Sequence, residues 1–393
     1  MEEISRPPKR VLHVIHGLGA GGAETWLLNT VRYLTTHPEI NLHFDFLATG
    51  GEVCLFDKEI EALGAKVFYV RYSLKRSFQF SRQFRSILQS HHYDAIHDHQ
   101  DFVSGWHFLL GLGYLPPIRI SHLHNPFNFV SNYISSTSRW ISYKIGRLLT
   151  VLFTTKITGT SNAVMDEYGY DGWPYKIKRV DPIYCGFDTE EFKFNAKAKN
   201  EICHEFGWET PACKIALFIG RLTSADRGNI QNQKNPEFAF EVARLLVSGS
   251  QNWKFIFAGQ KGTLGEDMER ETIQQGMERE IKFLGVRRDI PMLLSAADIL
   301  VFPSLWEGLG MVAVEAQASG LPVILSNAVP AEAIVCDELV TSKSLKDGVS
   351  EWVATIEKLA EQSVPERYVY AKEVSNSVFS IESSLRNLLH IYS

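Results

Sequence analysis

The chain has 393 residues, 45% of them hydrophobic and 22% charged, with 28 Gly and 15 Pro. At roughly 150 residues per domain that is too long for one compact core, and the composition excludes a disordered, collagenous or coiled-coil chain. Forty Lys and Arg against 45 Asp and Glu leave a net charge of −5, which excludes a protein that holds nucleic acid through overall basic charge.

Val11–Ile15 is an apolar run that ends in a Gly-rich turn, after which Trp26, Leu27, Val31 and Leu34 recur at helical spacing. Phe44–Ala48, Lys66–Val70, Ala95–His97 and Arg119–His122 read as further strands, each followed by a polar or helical stretch. Such alternation predicts a parallel sheet with helices on both faces. A second series runs through Lys214–Ile219, Lys254–Ala258, Lys282–Leu284, Ile299–Phe302 and Val323–Leu325. Between the two, Phe187–Pro211 has no apolar period and holds the boundary. The fold class is therefore α/β with two consecutive doubly wound domains, residues 1–190 and 191–375, and a terminal segment, 376–393, carrying the amphipathic helix Ile381–Ile391.

The charge is unevenly spread. Residues 62–165 hold Asp94, Asp98 and Asp101 against eleven bases, and no carboxylate lies between Asp101 and Asp166. Within that block Asn128–Lys156 mixes Arg139, Lys144, Arg147 and Lys156 with Phe129, Tyr133, Trp140 and Tyr143. A basic, aromatic, amphipathic helix is expected there, suited to an anionic membrane surface. Five scattered Cys without a CxxC pair, no visible signal peptide and no apolar run near 18 residues point to a reducing, cytoplasmic location with at most peripheral membrane contact.

Three constellations carry chemistry. Gly17-Leu-Gly19-Ala-Gly21-Gly22 follows a strand and precedes a helix, where bare amides and the positive helix end suit a phosphate. Asp45 on the next strand is the acid a dinucleotide reading asks for. Second, His13, His16, His97, His99, His122 and His124 alternate at strand ends. His97 and His99 with Asp101 resemble the start of a zinc-hydrolase signature, although such histidines also serve as hydrogen-bond partners at a sheet edge. Third, strand Ile299–Phe302 runs into Glu307-Gly308-Leu309-Gly310-Met311-Val312-Ala313-Val314-Glu315. On a continuous helix eight residues rise about 12 Å, more than the roughly 5–9.5 Å of a glycosidase carboxylate pair. The spacing suits an elongated ligand with an anionic centre: a diphosphate on the amides from Gly308 to Val312, hydroxyl-bearing groups at each Glu, and Arg221 and Lys234 as cations.

This constellation resembles a family-four retaining glycosyltransferase of GT-B fold, along the whole chain from Val11 to the terminal helix. The resemblance rests on Gly21 to Glu24 (GlyGlyAlaGlu), His124 to Pro126, Gly220 to Leu222, Gln233 to Asn235, Glu307 to Glu315, and Gly320 to Ser326. Gln233 to Asn235 and Ser326 to Pro330 look most like the exopolysaccharide and capsule branch. The resemblance implies two Rossmann-like domains facing each other across a cleft, the first binding acceptor and the second binding a nucleoside-diphosphate sugar, UDP-linked by preference. It implies Glu315 on the ribose, Glu307 on the transferred sugar, Arg221 and Lys234 on the diphosphate, and Val286 of the loop Gly285 to Arg287 at the base. Gly21 and Gly22 would approach the donor from the first domain, His124 would lie beside the reacting centre, and the terminal helix would return to the first domain. No metal or other cofactor is implied. In the family Arg and Lys stand six positions apart, whereas Lys234 follows Arg221 by thirteen; Thr223–Gln231 reads as a loop insertion, because Lys234 still directly precedes a helix, and Arg227, at the family spacing, is the alternative diphosphate ligand. The acceptor it implies is a glycan or a lipid-linked sugar, and the charge balance predicts no nucleic-acid partner. The alternatives are a GT-B nucleotide-sugar epimerase or hydrolase, a zinc hydrolase using His97, His99 and Asp101, and a catalytically silent binding partner.

Overall fold

The computed structural model describes residues 7–19, 21–134, 136–210, 212–224, 232–250, 252–361 and 366–393; the side chains of Asn128 and Tyr133 lie outside that description. The chain divides into two units, the first ending at Phe187 and regaining Ile381–Ser393, the second being Asp188–Ser380.

In the first unit six parallel strands, β1 (Lys9–Ile15), β2 (Leu42–Ala48), β3 (Val67–Tyr69), β4 (Ala95–Asp98), β5 (Ile118–Leu123) and β6 (Lys156–Gly159), lie in the order β3-β2-β1-β4-β5-β6. In the second, β7 (Lys214–Ile219), β8 (Trp253–Ala258), β9 (Ile281–Phe283), β10 (Ile299–Phe302), β11 (Val323–Ser326) and β12 (Val340–Lys343) lie in the order β12-β11-β10-β7-β8-β9. Counted from each unit's first strand the two orders are the same, and in both the order reverses beside the first strand, at β1/β4 and at β7/β10. In an open α/β sheet the crevice beyond the strand ends at that switch point is where ligands sit. Central strands are buried on both faces, so they read as near-continuous apolar runs such as Ile215–Phe218 and Ile299–Phe302.

The terminal helix Ile381–Ile391 belongs to the first unit. Ile381 N donates to Phe187 O at 3.1 Å, so the chain re-enters where it left. Trp26, 2% exposed, donates through Nε1 to Ser384 Oγ at 2.9 Å. At the helix end Lys9 and Lys156 donate to the carbonyls of Tyr392 and Ile391 at 2.6 and 2.7 Å, placing two cations at the negative pole.

The expected helix over Asn128–Lys156 is corrected. It is two helices, Phe127–Tyr133 and Thr137–Phe153, and Lys156 opens β6. Ser136 caps the second helix, its Oγ accepting from Arg139 N at 3.4 Å, and Thr154 turns extended at its end. The exposed stripe is Ile141, Ile145, Leu148 and Leu152 with Trp140, whereas Tyr143 is buried at 3%. No helix among the described residues is long and apolar enough to cross a membrane.

Candidate active site

The second unit's switch point is built on an ion pair whose carboxylate is buried. Strand β10 ends at Phe302, and Pro303 cannot continue the ladder. The next residue, Ser304, donates through Oγ to Glu307 Oε1 at 2.7 Å, and Lys234 Nζ lies 2.7 Å from the same oxygen. Glu307 is 7% exposed. Lys234 Nζ also stands 4.5 Å from the centre of the Phe302 ring, a cation–π contact. Two features bring Lys234 here. Gly220, just past β7, leaves room for it, since a Cβ there would lie 2.9 Å from Lys234 Cβ and 2.9 Å from the Phe218 ring. Leu305 N donates to Gln233 O at 2.8 Å, fastening the glutamate loop to the lysine loop.

Gly310 follows with φ +98°, a left-handed conformation that only glycine adopts without strain, and caps the helix Met311–Ala318. No acidic residue occupies that helix's first turn. The amides of Met311 and Val312 thus form a positive end with no carboxylate of its own. Glu315 lies one turn on and is half-buried; burial raises its pKa to about 7, against the pull of Lys234. Glu307 lies ahead of the helix and Glu315 on it, so the two do not share a continuous helix and the 12 Å helical spacing does not hold. Leu309 is buried, Gly308 half-buried, Arg221 exposed and Val286 53% exposed. Arg287 beside Val286 is committed elsewhere, paired to Glu205 at 2.7 Å and Asp289 at 2.6 Å. Arg227 lies outside the described residues.

The first unit's switch point carries histidines. His13 of β1 pairs in register with His97 of β4, and the period of two puts His97 with His99, and His122 with His124, on one face. Their rings form a row: His124 Nε2 to His99 Nδ1 at 2.8 Å, His99 Nε2 to His13 Nδ1 at 2.9 Å, and His97 Nε2 to His122 Nδ1 at 3.0 Å. The Tyr392 hydroxyl closes the row, 2.7 Å from His97 Nδ1 and 3.5 Å from His13 Nε2. Burial lowers the pKa of His13 and His124 to about 3 and those of His97, His99 and His122 well below the usual value, so all five are neutral. Asp101, at φ +49°, holds the loop bearing His124: Oδ1 accepts from His124 N at 2.8 Å and from Asn125 N at 3.4 Å, and Oδ2 from Asn125 Nδ2 at 2.9 Å. Its pKa is pushed up to about 6 by burial despite those bonds.

Two expectations are overturned here. The zinc-hydrolase reading needs Asp101 beside His97 and His99, but both of its oxygens serve the His124 loop. His13, His97 and His99, and His99, His122 and His124, do bring ring nitrogens within 4.8 Å of one another, yet most of those nitrogens face each other as hydrogen-bond pairs. The dinucleotide reading needs Asp45 at a ribose, but Asp45 is fully buried. It binds Arg10 at 2.7 Å, His43 at 3.0 Å, Lys66 N at 2.8 Å and Tyr93 at 2.9 Å. Burial alone would raise its pKa, but those bonds hold it below the usual carboxylate range. Gly21 caps the helix Gly22–Thr36, and Gly22 is open, with nothing within 4 Å of where a Cβ would stand. A side chain at Gly21 would collide with the carboxylate of Glu24, so this helix end already has an anion over it.

Sequence reasoning singled out Lys234, Glu307 and Glu315, and they share one switch point. It missed Ser304, Phe302, Asp101 as a loop anchor, and Tyr392. The residue after a strand-ending proline was a usable signal for Ser304; nothing local marks Tyr392.

Residues 20–191 match the family model described as Glycosyltransferase Family 4, and residues 213–362 the one described as Glycosyl transferases group 1. The chain is 30% identical to "Putative glycosyltransferase EpsF" of Bacillus subtilis (strain 168), over 98% of this chain and 96% of that protein. Among solved structures it is similar to Anabaena Alr3699/HepE in complex with UDP and glucose, with a TM-score of 0.74 at 17% identity over 97% of this chain and 98% of that one. It is also similar to WaaG, a glycosyltransferase involved in lipopolysaccharide biosynthesis, with a TM-score of 0.70 at 16% identity over 98% and 99% of the two chains.

Proposed function

Since the chain belongs to glycosyltransferase family 4 and has the two-domain α/β (GT-B) fold of such enzymes, we propose that it moves a sugar, with retention, from a nucleoside diphosphate to a glycan or lipid-linked acceptor in cell-surface polysaccharide synthesis. The observation that carries this reading is the Lys234–Glu307 pair, its carboxylate buried, at a switch point beside a helix with no acid in its first turn. A diphosphate arriving there competes with Glu307 for Lys234 and lies on the amides of Gly308 to Val312. Glu307 is thereby released toward the transferred sugar, and Glu315 takes the ribose hydroxyls. Arg221, exposed, adds a second cation, and Val286 offers an apolar face to the base. The solved relative holding UDP and glucose supports a UDP-linked donor.

In the transfer the bond from the anomeric carbon to the diphosphate oxygen breaks while the acceptor oxygen bonds to the same face. The acceptor's proton passes to the leaving phosphate. Lys234 and the helix amides stabilise the charge that develops on that phosphate. In the first unit His124 acts at the reacting sugar. Because these charges come from the chain, turnover persists in EDTA.

A lipid-linked acceptor would hold the enzyme at an anionic membrane. Supporting this, helix Thr137–Phe153 exposes Trp140, Ile141, Ile145, Leu148 and Leu152 beside Lys144, whose Nζ lies 5.3 Å from the Trp140 ring centre. Calorimetry against a panel of nucleoside-diphosphate sugars tests the reading: one of them binds, and Glu307→Gln abolishes its transfer. Binding of none sinks it. Co-sedimentation with anionic but not neutral vesicles tests the membrane contact.

A further inference from the structure

The row of imidazoles in the first unit has a polarity. A neutral imidazole carries one N–H and one lone pair, so each ring that donates through one nitrogen must accept through the other, and fixing one link fixes all. The row's inner end, His122 Nε2, is buried and has no hydrogen-bond partner among the described residues. The only member that is not an imidazole is Tyr392, fully buried at the end of the terminal helix. Its hydroxyl has one proton and two nitrogens within reach, His97 Nδ1 at 2.7 Å and His13 Nε2 at 3.5 Å. Hydrogen bonds weaken steeply with distance, so the proton goes to His97.

The consequence runs both ways along the row. His97, accepting at Nδ1, carries its hydrogen on Nε2 and gives it to His122 Nδ1. On the other side the phenol oxygen accepts from His13 Nε2, His13 Nδ1 accepts from His99 Nε2, and His99 Nδ1 accepts from His124 Nε2. We propose that Tyr392 is a positioning residue for His124: its hydroxyl holds all five rings with hydrogen on Nε2 and leaves Nδ1 of His124 as the lone-pair nitrogen. With a pKa near 3, that nitrogen recognises a sugar hydroxyl by accepting its hydrogen bond and carries no proton of its own. This assignment rests on the reading that His124 acts at the reacting sugar.

Nitrogen-15 spectra of the histidine rings in the full chain test it, in the wild type and in Tyr392→Phe, which keeps the aromatic packing. At pH 7 the five wild-type rings show the neutral Nε2–H pattern. In Tyr392→Phe, His99 and His124 lose their single tautomer, and kcat falls roughly tenfold, one hydrogen bond's effect, while UDP affinity stays within twofold. Hydrogen on Nδ1 of His13, His99 or His124 in the wild type overturns the proposal without any variant having to fold. So does a folded Tyr392→Phe with unchanged tautomers and kcat, and so does stoichiometric zinc uptake by the row. The right pattern in a chain that turns over no nucleoside-diphosphate sugar overturns the functional reading and the positioning role with it. The wrong pattern with normal turnover overturns the positioning role alone.

Discussion

The two units share one strand order and fill its switch point in opposite ways. In the first, β1, β4 and β5 deliver five neutral imidazoles that bond to one another, and the helix end beside them lies under its own Glu24. In the second, β7 and β10 lead to a charged pair, Lys234 and Glu307, and the helix end has no acid in its first turn. Burial acts on both. In the first unit it keeps the rings neutral; in the second it sets a carboxylate against an ammonium at 2.7 Å, and on the proposed reading a diphosphate displaces that carboxylate from Lys234. One topology thus carries a network of imidazole hydrogen bonds in one unit and an ion pair in the other.

Acid should break the first unit before the second, and this is the largest effect expected. The buried histidines have folded pKa values below their free value of about 6.5, so they add stability above pH 6.5 that is lost as pH falls, when only the unfolded chain takes up protons. Each contributes about 1.4 kcal/mol per pH unit well below 6.5. Hydrogen exchange between pH 7 and 5 should show residues 95–124 opening first. Uniform protection across both units would mean the rings are charged or wet.

Next in size, Lys234→Met should lower turnover by about 10²–10³ and lower the melting temperature, because Glu307 is left buried and unpaired. Adding Glu307→Gln should restore the melting temperature but not the turnover. If the double variant stays as unstable as the single one, the pair is not what holds this loop. Gly220→Ala should cost about 1–3 kcal/mol by forcing a Cβ against Lys234 and Phe218, read in urea unfolding and in weaker UDP binding.

Glu315 sharpens the comparison from the other side. Its folded pKa near 7 lies above that of a free carboxyl, so its contribution to stability is present at low pH and lost as pH rises toward 7. Glu315→Gln should therefore raise the melting temperature at pH 8 and leave it unchanged at pH 4. In the wild type, UDP affinity should climb as pH passes 7 and the carboxylate becomes an acceptor for the ribose; a flat profile in the wild type would remove Glu315 from the ribose. The smallest effect belongs to Ser304→Ala, about 1 kcal/mol for the lost bond to Glu307, measured by chemical unfolding.

Much of this was legible in the residues. Ten of the strands announce themselves as apolar runs, because strands covered on both faces need no polar alternation. The two that do not, β6 and β12, are edge strands of four residues, Lys156–Gly159 and Val340–Lys343, the second partly exposed and polar. The break in Asn128–Lys156 hid in the cap at Ser136 and the extended Thr154, which a pattern of apolar spacing does not register. Lys234 and Glu307 were legible as types but not as a pair, since 73 positions separate them and it takes the gap at Gly220 and the Leu305–Gln233 bond to bring them together. Asp101 looked like a ligand because its sequence neighbours are histidines; its φ turns it to the opposite loop. Tyr392 is one aromatic near the chain's end, and what it touches lies some 295 positions away.

The return of Ile381–Ser393 to the first unit sets an order on synthesis. Residues 7–187 leave the ribosome with Trp26 lacking Ser384, with the histidine row open at the place of Tyr392, and with Lys9 and Lys156 facing no helix end. The second unit, Asp188–Ser380, is made whole in the interval. The N-terminal half is therefore the last to be completed, and a nascent chain stalled before residue 381 would offer chaperones an apolar cleft where the finished enzyme has a core.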